Sequence, residues 1–164
     1  MKVEMKLSGL DGSLDTLHSL QAELAGKQGG PVLAALRKGA KVIDAQHRAN
    51  LQAVTSNATD AGTRESTGFL AKNLAVSRGK PPFGGKGERV LLRVRRKGYP
   101  GRAKVSTLQV ANLLEYGSSQ QPPEPWIRPA FLSRAAEAIQ TTERELLAAI
   151  DRIVRKLAAK NKGR

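Results

Sequence analysis

Hydrophobic residues recur along the chain at two spacings, one typical of strands and the other of helices. Residues 2–7 alternate polar and apolar side chains, which predicts a half-buried strand. From Ser13 to Ala25, leucines recur every three or four residues and predict an amphipathic helix. Helical spacing continues from Pro31 to Val54, where a proline in the first turn is compatible with helix initiation. The N-terminal third therefore predicts a strand followed by two helices.

Two segments in the middle of the chain, residues 70–78 and 89–96, have the composition of strands. In the second segment, apolar side chains alternate with a largely cationic face. The intervening residues 79–88 contain two prolines and four glycines, which exclude a regular element. The pattern predicts a hairpin with a projecting loop at 79–88, and a second loop at 99–102.

Helical spacing returns twice in the C-terminal half. Residues 107–116 predict a short helix, and seven apolar residues at spacings of 3, 4, 7, 4, 3 and 4 predict a single long helix from Pro129 to Ala159. The seven residues are Leu132, Ala135, Ile139, Leu146, Ile150, Ile153 and Leu157.

The order of these elements predicts an α+β fold. We expect a small antiparallel sheet packed against two N-terminal helices and one long C-terminal helix. The chain of 164 residues is the size of one domain, which we place at residues 1–159, followed by a basic flexible tail at 160–164.

The charge of the chain is concentrated in two segments. The net charge is +14, yet residues 78–104 alone hold ten basic side chains against Glu88, a net of +9. The stretch from Arg152 to Arg164 adds six more, while residues 1–77 come to +2 and residues 105–151 to −3. Both basic segments must face solvent, a polyanion or an acidic protein. Nine of the cations are predicted to face DNA or a partner: Lys80, Lys86, Arg89, Arg93, Arg95, Arg96, Lys97, Arg102 and Lys104.

The chain carries no pattern typical of an active site. It has no cysteine, and its two histidines, His18 and His47, are 29 positions apart without clustered carboxylates, so we expect no metal centre. Phosphate-loop, nucleophile-elbow and HExxH motifs are absent, and no apolar run approaches the roughly 20 residues of a membrane span. We therefore expect no enzyme activity, no catalytic residue, no cofactor and no membrane partner. We interpret His47 as a core-edge histidine satisfied by one hydrogen bond.

Residues 113–131 form the most specific stretch of the sequence. Gly117 is expected to end the short helix, and three prolines between residues 122 and 125 force an extended path. Trp126 and Ile127 then supply apolar anchors for the core before Pro129 opens the last helix. From its residues alone, this stretch is a rigid connector between two helices.

The same stretch resembles the signature of the tail-completion, or head–tail joining, family of neck proteins in long-tailed double-stranded DNA bacteriophages. Members carry a Glu-aromatic-Gly-Thr segment, a proline-rich spacer and then Pro-aromatic-aliphatic-Arg-Pro-Ala. The matching positions are Glu115, Tyr116, Gly117, Ser118, Pro125, Trp126, Ile127, Arg128, Pro129 and Ala130. Ser118 replaces the usual threonine but keeps the hydroxyl. Residues 9–10, 36–40 and 67–70 agree in order, so the resemblance covers nearly the whole chain, whereas the loop at 79–88 and the basic tail match no family pattern.

The resemblance implies a structural virion protein of the phage neck, made in the cytoplasm of the bacterial host. Such a protein is a ring-forming adaptor, commonly a hexamer, that completes the tail and joins it to the head. Its implied partners are other copies of itself, the head connector or head-closure protein, and the tail tube or tail terminator. The implied interface residues are Glu115, Tyr116, Gly117, Pro125, Trp126, Arg128 and Pro129. We expect Glu115 and Arg128 to be structural or intersubunit partners.

The resemblance leaves two alternatives open for the basic residues. Six copies would place six times nine, or about +54, charges in one ring, which requires an acidic neighbour. Double-stranded DNA in the lumen is one candidate, and an acidic connector or tail subunit is the other. We favour protein docking for the loop, because a ring that gripped phosphate tightly would oppose DNA passage. A second function remains in view: a nucleic-acid-binding protein without sequence preference that uses residues 78–104 and 152–164.

Overall fold

The computed structural model describes residues 19–20, 23–24, 30–56, 68–81 and 87–161. Residues 19–20 and 23–24 are helical. The remaining elements in chain order are α1 (Gly30–Ser56), α2 (Phe69–Lys72), β1 (Leu74–Arg78), β2 (Val90–Val94), β3 (Gly98–Tyr99), β4 (Arg102–Ser106), α3 (Thr107–Tyr116) and α4 (Ile127–Asn161). The chain is thus an α+β protein, which confirms the predicted fold class.

The two long helices, α1 and α4, pack against each other in antiparallel directions. The C-terminal half of α1 lies beside the start of α4, where Nε2 of His47 is 3.2 Å from the carbonyl oxygen of Ile127. At the middle of the pair, a Cβ atom added to Gly39 would lie 2.6 Å from the carbonyl oxygen of Ala138. Any side chain larger than hydrogen at position 39 would therefore force the two helices apart.

This close approach selects small residues on the buried side of α4. Ala130, Ala138 and Ala149 are buried there, with at most 9 % of their surface exposed. Two of the larger residues whose spacing predicts this helix are not buried: Leu132 is 79 % exposed and Ile139 is 67 % exposed. The apolar stripe of α4 is therefore only partly buried, and its N-terminal half faces away from α1.

Strands β1 and β2 form an antiparallel hairpin whose register runs from Leu74 opposite Val94 to Arg78 opposite Val90. In β2, the apolar side chains are half-buried and the alternating positions are exposed, as the period of two predicts. The hydrophobic core lies where this hairpin, α1, α3 and the start of α4 meet. Its buried members are Leu51, Leu70, Leu74, Ala111 and Trp126.

The predicted strand at 70–78 is too long at its beginning, since residues 69–72 form the helical turn α2. Gly68 precedes this turn in the left-handed conformation with φ 63°. The turn ends because the side chain of Asn73 donates to the carbonyl oxygen of Phe69 at 2.8 Å and its backbone N–H donates to that of Leu70. The turn carries Leu70 into the core, and a four-residue helix is too short to show a period in the sequence.

The predicted loop at 99–102 is the tight turn of a second, small hairpin. Strands β3 and β4 pair in antiparallel directions on either side of it, with a register shift between Gly98 and Tyr99. Gly101 adopts φ 73°, which a turn at this position requires. A strand of two residues is too short to show alternation of polar and apolar side chains, so the sequence pattern did not predict β3.

The two C-terminal helices are found where they were predicted, with a correction at each end of the long one. Helix α4 begins at Ile127, two residues before Pro129, because the first turn of a helix tolerates a residue without N–H. It continues to Asn161, so Lys160 belongs to the helix and not to a flexible tail. No described helix is both long and apolar enough to cross a membrane.

Several predictions concern residues outside the described part of the chain. These are the strand at 2–7, most of the helix from Ser13 to Ala25, the loop core at 82–86 and residues 162–164.

Candidate functional site

The buried carboxylate of Glu115 holds the beginning of α4. The backbone N–H groups of Trp126 and Ile127 donate to its Oε2 at 2.9 and 2.8 Å. The backbone N–H of Arg128 donates to Oε1 at 3.2 Å, and the Arg128 guanidinium Nε lies 3.3 Å from the same oxygen. The first N–H groups of a helix have no acceptor inside it, so Glu115 acts as a cap supplied from the end of α3.

These contacts decide the charge state of Glu115. Burial by itself would raise the pKa of the carboxyl, but the N–H groups of Ile127, Trp126 and Arg128, together with the Arg128 charge, lower it below its ordinary value of 4.5. The positive end of the α4 dipole favours the same ionised form. Glu115 is therefore a structural anion, since its hydrogen bonds and its contact with Arg128 all stabilise its negative charge. The predicted pair of Glu115 with Arg128 forms within one chain.

Trp126 lies directly behind this cap and is fully buried. Its ring packs edge-on against the ring of His47, with centroids 5.9 Å apart at 75°. Its Nε1 has no hydrogen-bond partner in the described part of the chain. The side-chain amide of Asn50 donates to the Trp126 carbonyl oxygen at 3.1 Å, so α1 fixes both the ring and the backbone of this residue.

His47 sits at the edge of the core, as the sequence predicts. A carbonyl oxygen only accepts, so Nε2 of His47 must carry the proton in its contact with Ile127. Burial lowers the pKa of His47 from 6.5, against the opposing effects of this hydrogen bond and of the Asp44 and Glu115 charges. The ring is thus a neutral structural element that joins α1 to the beginning of α4.

The proline-rich spacer is tied to α3 at both of its ends. Gly117 ends the helix with φ 74°, and its N–H donates to the Leu113 carbonyl oxygen at 2.9 Å. A Cβ at Gly117 would lie 2.8 Å from the carbonyl oxygen of Gln121, so only glycine fits this turn. Further along, the N–H of Glu124 donates to the Leu114 carbonyl oxygen at 2.8 Å. The spacer is therefore a fixed connector, as predicted.

Four residues of the motif face outward. Tyr116 is 65 % exposed, and the Arg128 guanidinium lies 4.9 Å from the centroid of its ring, a cation–π contact. Pro125 and Pro129 are also exposed. The motif thus divides into an inner part (Glu115, Gly117 and Trp126), which holds the fold, and an outer part (Tyr116, Pro125, Arg128 and Pro129), which is displayed on the surface.

The second candidate site is the basic segment at 78–104. The guanidinium of Arg78 donates two hydrogen bonds to the Glu88 carboxylate, at 2.9 and 2.6 Å. Since Glu88 is the only acidic residue of this segment, its charge is used within the hairpin. The exposed cations without a carboxylate within 4.0 Å in the described part of the chain are Lys80, Arg89, Arg93, Arg95, Arg96 and Lys97. Lys86 and the side chains of Arg102 and Lys104 lie outside the described residues.

Thr107, which sequence reasoning missed, orders the backbone of these cations. It is fully buried, and its hydroxyl donates to the Arg95 carbonyl oxygen at 2.5 Å. The Thr107 hydroxyl also accepts from the N–H of Lys97 at 3.0 Å, and the Thr107 N–H donates back to Lys97 at 2.9 Å. Residues 95–97 are thereby held with exposed side chains. The signal that could have drawn attention to this position is the capping box of Ser106 and Gln109, which begins α3 beside it.

A cavity of about 330 Å³ between α1 and α4 is lined by Pro31, Ala34 and Ile153 and by the ion pair of Lys38 with Glu145. The hydrogen bond from Lys38 lowers the pKa of the Glu145 carboxyl. Among the described residues, no three His, Cys, Asp or Glu side chains are grouped to hold a metal ion.

The site is thus a capped connector with an outward aromatic–arginine face, next to a hairpin that carries unpaired cations. Comparisons with protein-family models, with curated proteins and with solved structures find no match to this chain.

Proposed function

We propose that the protein is a structural virion protein of the phage neck, an adaptor that forms a ring, completes the tail and joins it to the head connector. The observation that carries the proposal is the division of the 115–130 motif. Its inner residues fix the connector to α3 and α4, and its outer residues, Tyr116 and Arg128, stack on each other at the surface.

The surroundings of the outer residues support a docking role. Leu113, three residues before Tyr116 in α3, is 46 % exposed, and Phe131, three residues after Arg128 in α4, is 54 % exposed, so each outer residue has an exposed apolar neighbour on its own helix. Arginine and aromatic residues are the types that contribute most of the energy at protein interfaces. A rigid connector also loses little conformational entropy when it docks. These features suit an adaptor whose partners are other copies of itself and the neighbouring neck proteins.

The basic segment supplies the charge that such an adaptor presents to an acidic neighbour. Its exposed cations belong to the β1–β2 hairpin and to residues 95–97 that follow it, whereas the connector pairs Glu115 with Arg128 within the chain. The 79–87 loop docks on an acidic protein in this proposal, and DNA in the lumen is the other acidic neighbour. Neither site calls for a cofactor or for catalysis.

The experiment that tests the neck function is an assembly assay with heads and tails that lack this protein. Addition of the purified wild-type chain is expected to join them, and negative-stain images are expected to show a ring at the neck. Tyr116→Ala combined with Arg128→Ala is expected to fold, with some loss of stability because Arg128 contacts the buried Glu115 carboxylate, and to abolish joining. The control is Gln52→Ala, an exposed residue of α1. Full joining by the double variant would contradict the assigned role of the outer residues.

A second assay separates the loop from the connector. Replacement of Lys80, Lys86 and Arg89 by alanine is expected to preserve the folded monomer but block head–tail joining. Normal particle yields from that variant would remove the loop from the interface.

A nucleic-acid-binding function is the second candidate, favoured by the six exposed cations without a described carboxylate partner. Filter binding to double-stranded DNA at several salt concentrations tests it. If the cations neutralise phosphates, the logarithm of affinity falls by about 0.9 per phosphate for each tenfold increase in salt. Absence of binding at low salt would leave protein docking as the role of this segment.

A further inference from the structure

Four large aliphatic side chains of α4 are exposed to solvent along one line. They are Leu132 at 79 %, Ile139 at 67 %, Leu147 at 56 % and Val154 at 37 % exposed. At 100° per residue, the four lie within a sector of about 80° on the helix surface, over a length of about 33 Å. We call this set the open stripe. A single exposed leucine needs no explanation, but an aligned set of four marks a surface that binds something apolar.

The open stripe is distinct from the face of α4 that packs on α1. That packed face includes the small residues Ala138 and Ala149 around the close approach at Gly39, and the larger Leu157 near the end of the helix. The four residues of the open stripe are the large aliphatic side chains of α4 with the greatest exposure among the described residues. Within the described residues, the four side chains of the open stripe remain 37 to 79 % exposed.

The open stripe has a symmetric sequence spacing. From Leu132 the four residues follow at intervals of 7, 8 and 7, so the midpoint of the set is residue 143. A two-fold axis at Glu143 relates Leu132 to Val154 and Ile139 to Leu147. Two helices in antiparallel directions would then place each of the four against an aliphatic residue of the other copy, as an interface between identical surfaces requires.

We propose that two copies of the free protein pair through the open stripe in antiparallel directions, with Glu143 at the two-fold axis. This pairing is independent of the neck function, because it concerns the protein before it meets any other component. A ring uses a different contact, in which two unlike surfaces of each subunit meet.

The distribution of charge favours a second copy at this surface. Residues 132–154 hold three basic and four acidic side chains, a net of −1, in a chain with a net charge of +14. Two copies therefore meet less repulsion along this stretch than their basic segments would cause elsewhere. The like charges that the axis does bring together are the two exposed Glu143 carboxylates.

Charge also selects the antiparallel direction. The end of α4 after Ile153 carries Arg155, Lys156 and Lys160 without an acidic residue. Parallel helices would bring these ends together, and with them the basic hairpins at the opposite end. Antiparallel helices separate both sets and also oppose the two helix dipoles favourably.

The size of the open stripe predicts a weak, reversible dimer. A strip about 33 Å long and about 10 Å wide covers about 330 Å² per copy. A standard stable interface buries about 800 Å² per partner. We therefore expect association in the micromolar range or weaker, which a cross-linking experiment can capture.

The absence of cysteine makes the test clean, since single-cysteine variants carry one thiol per chain. Under mild oxidation, Glu143→Cys is expected to form a disulfide dimer with itself. Leu132→Cys alone is expected not to do so, because the two copies of this residue would be about 33 Å apart. A mixture of Leu132→Cys and Val154→Cys is expected to give the mixed dimer. The background is set by Gln52→Cys, exposed on α1.

Sedimentation provides the second measurement. Ile139→Glu combined with Leu147→Glu is expected to weaken dimerisation by at least about 10-fold, with an unchanged circular dichroism spectrum and thermal midpoint. The matched control, Ala148→Glu, introduces a carboxylate at an exposed position of α4 outside the open stripe and is expected to dimerise like the wild type.

Two results would overturn the pairing. One is a wild-type chain that stays monomeric at about 1 mM while Glu143→Cys cross-links no faster than Gln52→Cys; the open stripe would then be covered within one chain or by another protein. The other is efficient self-cross-linking of Leu132→Cys, which would show parallel helices. Head–tail joining reads out the neck function separately, so either proposal can fail while the other stands.

Discussion

The 115–130 connector and the 78–104 basic segment both carry charge, but they satisfy it in opposite ways. In the connector, the Glu115 carboxylate is buried and receives three backbone N–H groups and the Arg128 guanidinium. In the basic segment, the Arg78–Glu88 pair uses the only carboxylate, and the other described cations face solvent.

This difference separates structural charge from functional charge. A charge that is satisfied within its own chain stabilises the fold, as Glu115 does at the start of α4. A cluster of like charges without partners does not stabilise the fold, because the charges repel one another, and we propose that another molecule neutralises it. The inner half of the conspicuous sequence motif is therefore architectural, while its outer residues and the less specific run of cations are the candidates for contact with a partner.

Trp126→Ala tests the structural character of the connector with the largest expected effect. The side chain is fully buried, so the free energy of unfolding is expected to fall by about 3 to 5 kcal/mol. Urea denaturation measures this. Tyr116→Ala, which removes an exposed aromatic ring from the same motif, is the control and is expected to cost less than about 1 kcal/mol. A near-neutral Trp126→Ala would move the tryptophan from the core to an interface.

Glu115→Gln tests the charge of the cap, with an expected loss of about 2 to 3 kcal/mol at neutral pH. The folded pKa of Glu115 is lowered, so its stabilisation is fully present above pH 4.5 and is lost as the pH falls through the folded value. Unfolding free energies measured from pH 7 downwards are expected to lose this acid dependence in the variant. The control is Glu137→Gln at an exposed position. An equal change of the acid dependence in this control would show that Glu115 is not the source of that dependence.

His47→Gln tests a second structural group of the connector region, at a higher pH than Glu115. The free energy of unfolding is expected to fall by about 1 kcal/mol. Burial lowers the folded pKa of His47, so the unfolded chain takes up a proton first as the pH falls below 6.5. Wild-type stability is therefore expected to decline from pH 6.5 towards the lowered value, and the variant is expected to be flat over this interval. An unchanged slope in the variant would show that the ring is not buried in its neutral form.

The basic segment is expected to show the smallest effect on stability. Replacement of Arg93, Arg95 and Arg96 by glutamine is expected to change the free energy of unfolding by no more than about 0.5 kcal/mol, because these side chains are exposed and have no described carboxylate partner. Binding to DNA or to an acidic partner is expected to weaken strongly, as measured by titration at low salt. The matched control removes the same charge from α4: Arg144, Arg155 and Lys160. Equal loss in the control would mean that net charge, and not the hairpin surface, drives binding.

Long periodic patterns were sufficient to predict α1, α3, α4 and the strand β2. The failures are short elements. Residues 69–72 form a helical turn because Gly68 and Asn73 shape its ends, and β3 has only two residues, so neither offers a period to detect. The start of α4 was placed two residues late because Pro129 is visible in the sequence, whereas the cap that begins the helix lies at residue 115.

The candidate site was predictable in part. The motif and the concentration of charge can be located by counting residues, and the cationic face of β2 follows from its alternation. The role of Thr107 could not be predicted, because its hydroxyl contacts backbone atoms 10 and 12 residues earlier, a contact that only the folded β3–β4 region creates.

By itself, the sequence determined the periodic helices, the alternating strand, the position of the charge and the residues of the connector, because each is a local property of neighbouring positions. The tertiary structure alone decided which carboxylate is a cap and which apolar residues remain uncovered. Glu115 became a cap because folding brings the N–H groups of residues 126–128 to its oxygens. The open stripe of α4 faces away from α1 because the backbones meet at Gly39, where only small side chains fit between two helices. Burial and hydrogen bonding depend on what lies across space, and a one-dimensional pattern carries that information only where neighbours in sequence are also neighbours in the fold.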